Sequence, residues 1–102
     1  MSITQNTVGT SATTLYTSSG TSATSVVYLM NDHSADVTIQ LHIVKNAGTA
    51  STSNKIVKNL IITAADTYVM DLEKLLLDNG DMIQASSDVD AVVHATVVHI
   101  EI

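Results

Sequence analysis

The tightest constraint in this sequence is its hydrophobic period. From Val26 onward, apolar residues fall into short runs that alternate with polar ones and are separated by polar turn clusters. Residues 36–44 are the clearest case: Val37, Ile39, Leu41 and Ile43 would point one way, Thr38, Gln40 and His42 the other. A period of two places successive side chains on opposite faces of a strand, so this run reads as a half-buried strand. Val, Ile and Thr are plentiful and proline is absent, which favours strands over helices throughout.

The same reading extends to the rest of the chain. Residues 26–31 form a continuous apolar run with Val27 and Leu29 opposed to Val26, Tyr28 and Met30, so both faces should be partly covered. Residues 55–63 place Ile56, Leu60 and Ile62 in one register, and Tyr68, Met70 and Leu72 alternate with Thr67, Val69 and Asp71. Residues 73–77 carry helical propensity but are too short for a helix, and Asn79-Gly80 is a strong hairpin signal. The expectation is therefore a hairpin with arms 75–77 and 82–86. In the last strand the apolar positions are odd-numbered from Ala91 to Val97 and even-numbered from Val98 to Ile102. A β-bulge near Val97–Val98 would restore the phase; burial of both strand faces is the alternative. Seven or eight short strands of this kind predict an all-β fold, an antiparallel β-sandwich of jelly-roll or Greek-key type.

The first 25 residues are different, being dominated by Ser and Thr with isolated Ile3, Val8, Leu15 and Tyr16. Residues 12–17 can form a strand that holds Leu15 or Tyr16 against a sheet. Residues 1–12 read as an extended arm and residues 13–102 as one sandwich domain. Ordering each arm residue costs roughly 1–2 kcal/mol of backbone entropy, which so few apolar groups do not offset. An ordered arm would therefore need a partner surface.

At 102 residues the chain has room for a single core. No cysteine is present, which removes disulfides and thiolate metal sites. A net charge of −6 with no arginine argues against nucleic acid as a partner. No stretch approaches the roughly 18 apolar residues of a spanning helix, and the first residues lack a signal-peptide pattern, so no membrane partner is expected. His33, His42, His94 and His99 invite a metal hypothesis, but their spacing does not force three or four ligands to converge. Asp78, Asp81, Asp88 and Asp90 fall in turns, where Asp serves caps and Asx-turns. Asp32-His33-Ser34 matches a catalytic triad in composition only, since sequence neighbours cannot align as nucleophile, base and orienter. No catalytic residue, metal or cofactor is expected, and no enzymatic activity.

The order of short motifs carries a resemblance. Leu15-Tyr16-Thr17 is followed by a strand ending in Asn31, the alternating strand 38–44 and a polar loop. Then come Leu60-Ile61-Ile62-Thr63-Ala64-Ala65-Asp66-Thr67, Leu77-Asp78-Asn79-Gly80-Asp81-Met82-Ile83 and a terminal Val98-His99-Ile100-Glu101-Ile102. From about Thr14 to Ile102 this resembles small β-sandwich virion proteins of tailed bacteriophages. The resemblance implies a structural protein on the capsid exterior, assembled in host cytoplasm. In that role it would be a decoration (cement) protein that stabilises the head by binding across major capsid protein subunits, itself a homo-oligomer, trimer or dimer. The alternative is a tail, neck, baseplate or fibre module, possibly glycan-binding, although glycan modules usually present aromatic platforms and only Tyr16, Tyr28 and Tyr68 are available. Candidate contacts are Ser2, Ile3, Thr4 and Val8 in the arm, Tyr16 beyond it, the apolar positions Val26 and Met30, and Ala47 and Thr49 in the Gly/Ser/Thr-rich loop that precedes Lys55. That loop should be mobile unless a partner fixes it.

Overall fold

The computed structural model describes residues 2–101, with 71–74 described by backbone alone. Eight strands follow one another: β1 (Ser2–Val8), β2 (Thr13–Thr17), β3 (Ser22–Asn31), β4 (Val37–Val44), β5 (Lys55–Ile62), β6 (Thr67–Leu77), β7 (Met82–Ser87) and β8 (Val93–Glu101). They form two four-stranded antiparallel sheets of order β1-β8-β3-β6 and β2-β7-β4-β5. Only β4 and β5 are both consecutive and paired. Every other connection crosses from one sheet to the other, which is the double-sheet jelly roll.

The core lies between the sheets, built from the inward half of each alternating strand. Val27 and Leu29 of β3, Val37, Ile39 and Leu41 of β4, Ile83 of β7, and Val93 and Val97 of β8 are all excluded from solvent. Each such side chain contributes roughly 1.5–3 kcal/mol relative to exposure, and aliphatic packing replaces the aromatic volume this composition lacks.

Three expectations need correction. The leading segment is no free arm: Ser2–Val8 pairs with β8 in continuous register from Ser2 opposite His99 to Val8 opposite Val93. Val8 is fully buried and its carbonyl accepts from Ala91 N at 3.1 Å. The chain's own last strand, not a partner, orders it. Second, Asn79-Gly80 does not close a hairpin. Residues 75–77 complete β6 in one sheet, while β7 pairs with β2 and β4 in the other. The turn is a crossover, pinned by Ser18 N to Asp81 O and Gly80 N to Ser18 O, both 2.8 Å. Third, β8 contains no bulge at Val97–Val98. Its odd residues from Val93 to Val97 are buried and the even ones between them are not. The pairing with β1 runs unbroken through Val97 and Val98, and the register shift lies in β3, between Thr24 and Val26. The phase slip in β8 arises because apolar Val98 and Ile100 occupy the outer face.

Buried polar groups tie the crossovers together. Asn31, fully buried at the end of β3, donates through Nδ2 to the carbonyls of Ala35 and Ile62, both at 3.0 Å. Its Oδ1 accepts from His33 N at 2.9 Å. Tyr16 donates its hydroxyl to Ser22 Oγ at 3.0 Å, and Ser18 Oγ lies beside the same atom. These bonds satisfy polar groups that would otherwise be costly to bury.

Candidate interaction surface

The register of the β1-β8-β3-β6 sheet decides which side chains share its outer face. Ile3 lies opposite Val98, which lies opposite Val26. In the next outward row Thr96 is followed by Tyr28 and Val69, and in the next His94 by Met30 and Thr67. Ala23 lies between Ile100 and Leu76. Inward residues alternate with these and enter the core, so the face follows from the period of two.

This face is unusually apolar for a surface exposed to water. Six of the nine exposed large hydrophobic side chains among the described residues stand on it: Ile3, Tyr28, Met30, Val69, Leu76 and Ile100. Ile3 is 61% exposed and Leu76 63%. Four strands about 4.8 Å apart and about eight residues long, rising about 3.3 Å per residue, span roughly 500 Å². The exposed apolar side chains take up part of that area, shared with Gln5, Thr7, Thr67, His94 and Thr96, and apolar patches of this kind mark interaction sites. The register continues the row of Ile3, Val98 and Val26 to Asp71 on β6, and Gln5, Thr7, Thr96 and His94 are polar positions on β1 and β8. Gln5 Nε2 donates to Thr96 Oγ1 at 3.4 Å, and Thr7 Oγ1 lies 3.1 Å from His94 Nδ1. An aliphatic, Tyr- and Met-containing surface interspersed with polar groups is a composition found at protein–protein interfaces.

The opposite sheet differs. Its outer face carries Thr38, Gln40, Gln84 and Ser86 with exposed Ile61 beside Thr38, while His42 is buried, and Gln84 Nε2 donates to Thr14 Oγ1 at 3.1 Å. The loop between β4 and β5 lies over one end of this face. Asn54 holds that loop, donating to Thr49 O at 2.8 Å and accepting from Ser51 N at 2.9 Å, with His42 Nδ1 at 2.9 Å from the same oxygen. The loop therefore carries its own internal bonds, and does not depend on a partner for all of its order.

The sequence-predicted contact residues are not brought together. Ile3, Val26 and Met30 share the apolar face. Ser2 is exposed at the start of β1, and Thr4 turns inward with Oγ1 2.8 Å from His99 Nε2. Val8 and Tyr16 are buried in the core and unavailable to a partner, a correction to their expected role. Ala47 and Thr49 are exposed in the β4–β5 loop of the other sheet. Sequence reasoning missed Val69, Leu76 and Ile100, although the phase slip in β8 was the signal for the last.

The histidines are dispersed. His94 is on the apolar sheet's outer face and His42 is buried in the other sheet. His99 turns inward and stacks on Tyr16 with ring centroids 4.0 Å apart; burial lowers its pKa below the ordinary value. Among the described residues no three His, Asp or Glu side chains gather as a metal site. Asp81 accepts from Asn46 N and Asp78 N, and Asp88 from Thr38 N, each at about 3 Å, so these acids order turns. No family model, curated protein or solved structure matches the chain.

Proposed function

We propose that this is a structural virion protein of a tailed bacteriophage, a capsid decoration protein that seats its apolar sheet face across neighbouring major capsid protein subunits. The observation that carries the reading is the outer face of β1-β8-β3-β6, where Ile3, Tyr28, Met30, Val69, Leu76 and Ile100 stand exposed. The order of short motifs from Leu15 to the final strand adds support, as does a jelly-roll architecture that capsid domains commonly use. Fold alone does not assign function, and the leading segment acts here not as a free arm but as strand β1, which adds Ile3 to the apolar face. Cementing requires no catalytic group: burying apolar area across a subunit boundary stabilises the closed shell by roughly 25 cal/mol per Å² before the costs of association.

The test compares particles assembled with the wild-type chain, without it, and with a Val69→Lys/Leu76→Lys variant. Both positions are exposed, so the variant should keep its fold to within about 0.5 kcal/mol, yet two ammonium groups would be desolvated on docking. Wild-type particles should disrupt at a higher temperature than the other two. Equal disruption temperatures for complete and deficient particles would overturn the proposal. A second reading, a tail, neck or baseplate module, would use the same apolar face, and a particle reconstruction separates the two.

A further inference from the structure

The outer face of the β2-β7-β4-β5 sheet contains an open groove of about 450 Å³, lined by Thr10, Thr38, Gln40, Asn59, Ser86 and Asp88 together with Ser87. Its floor is set by register. Gln40 lies opposite Ser86 on adjacent strands, while Asp88, at the end of β7, accepts Thr38 N at 2.9 Å and closes one end. Asn59 comes from β5 on one flank and Thr10 from the β1–β2 connection on the other. The hydroxyls of Thr10, Thr38 and Ser86 and the amides of Gln40 and Asn59 make no side-chain hydrogen bond among the described residues. Elsewhere on the molecule the side chains of Asn6, Asn31, Asn54 and Gln84 are all engaged. The groove thus collects uncommitted donors and acceptors in one concavity of small-ligand size.

We propose that this groove binds a neutral carbohydrate. A sugar hydroxyl both donates and accepts, and so do a carboxamide and a protein hydroxyl, so five such groups around one carboxylate match a polyol. Competing ligand classes fit less well. No lysine lines the groove and Asp88 does, so phosphate, sulfated sugars and nucleic acid are disfavoured. An extended peptide is recognised through free backbone groups at a sheet edge, whereas this is the face of a paired sheet. A single carboxylate is too few ligands for a hard cation. Exposed Ile61, paired with Thr38 across β4 and β5, places an aliphatic surface beside the groove for the C–H face of a sugar ring. With no aromatic ring for stacking, recognition rests on hydrogen bonds and the affinity should be weak, in the millimolar range. Multiple copies on one particle would raise it through avidity. This inference does not depend on a head or tail location. It gives the polar face a role on whichever surface the apolar face is docked.

The experiment is titration of the isotopically labelled full chain with maltotriose, cellotriose and triacetylchitotriose, and with a sulfated disaccharide as the anionic comparison, followed by amide NMR. Saturable shifts should appear for at least one neutral sugar at the Gln40 and Asn59 side-chain amides and at the Thr38 and Ser86 backbone, with none for the sulfated probe. Asn59→Ala, at an exposed position, should weaken binding about three- to tenfold, the equivalent of one hydrogen bond. Ser86→Ala should do the same, with each variant's dispersed spectrum reporting that its fold is intact. The proposal is overturned by absence of saturable shifts with all three neutral sugars, by shifts that map elsewhere, or by equal binding of the sulfated probe.

Discussion

Asn31 offers the sharpest test of how the two sheets are joined. Its side chain makes three well-formed bonds at the end of β3: two donated to the carbonyls of Ala35 and Ile62, and one accepted from His33 N. Each is worth about 0.5–1.5 kcal/mol net, so Asn31→Ala should cost roughly 2–4 kcal/mol against a total stability of about 5–15 kcal/mol. In a domain of this size that lowers the melting temperature by roughly 8–30 °C. Asn31→Asp keeps the acceptor for His33 N but replaces both donors with a carboxylate facing carbonyl oxygens. It should be less stable than the alanine variant at neutral pH. Burial among acceptors raises the folded-state pKa of that carboxyl above its unfolded value of about 3.9. The folded state then binds the proton more tightly, so relative stability rises as pH falls through the raised pKa and the protonated carboxyl regains one donor. Urea unfolding followed by tyrosine fluorescence, with both variants compared at each pH, cancels the titration of every other group. A cost below about 0.5 kcal/mol for the alanine variant, or an Asp-minus-Ala difference that does not change with pH, would refute the reasoning.

Other outcomes follow from the same geometry. Gly80 has φ +86, and a Cβ there would run into the Asn46 side chain; Gly80→Ala should lose about 1–3 kcal/mol, partly restored by Asn46→Gly, which removes the contact but not the backbone strain. His99 has its folded pKa lowered by burial, so its contribution is complete above the unfolded value of about 6.5 and is lost as pH falls through the lowered pKa. A His99→Gln variant, compared by thermal unfolding, should show a flatter stability profile in that acidic window than the wild type.

Much of the fold was legible because burial on one face imposes a period of two, which β4 shows most plainly. In β5 the register shifts between Val57 and Leu60, so Ile56, read in one register with Leu60 and Ile62, is instead exposed while Val57 packs on the core. The misreadings share a physical origin. Asn79-Gly80 carries the local chemistry of a tight turn, but nothing in that dipeptide specifies whether the next strand joins the same sheet or crosses to the other. The slip in β8 was read as a backbone irregularity because apolar residues were assumed to be buried; Val98 and Ile100 instead lie outward. The leading strand looked incapable of ordering itself since Thr4 and Asn6, which turn inward, are polar. Their partners, His99 Nε2 and the Leu15 carbonyl, are supplied by distant strands. The apolar face was half visible in Ile3, Val26 and Met30, but Val69 and Leu76 join it only through pairing with β3. The groove was invisible in sequence, since its residues are ordinary polar ones gathered from three strands and two connections.

Pairing of β1 with β8 places the first and last strands of the sandwich side by side in one ladder. A nascent chain emerging from the ribosome therefore carries β1 without its mate until β8 has emerged. The sheet that bears the apolar face closes only after all eight strands are made. Such long-range pairing is slow to form, so unfinished molecules would present bare strand edges and greasy side chains together. High expression should therefore favour inclusion bodies, with slow release of chains, at lower temperature, the condition that rescues soluble yield.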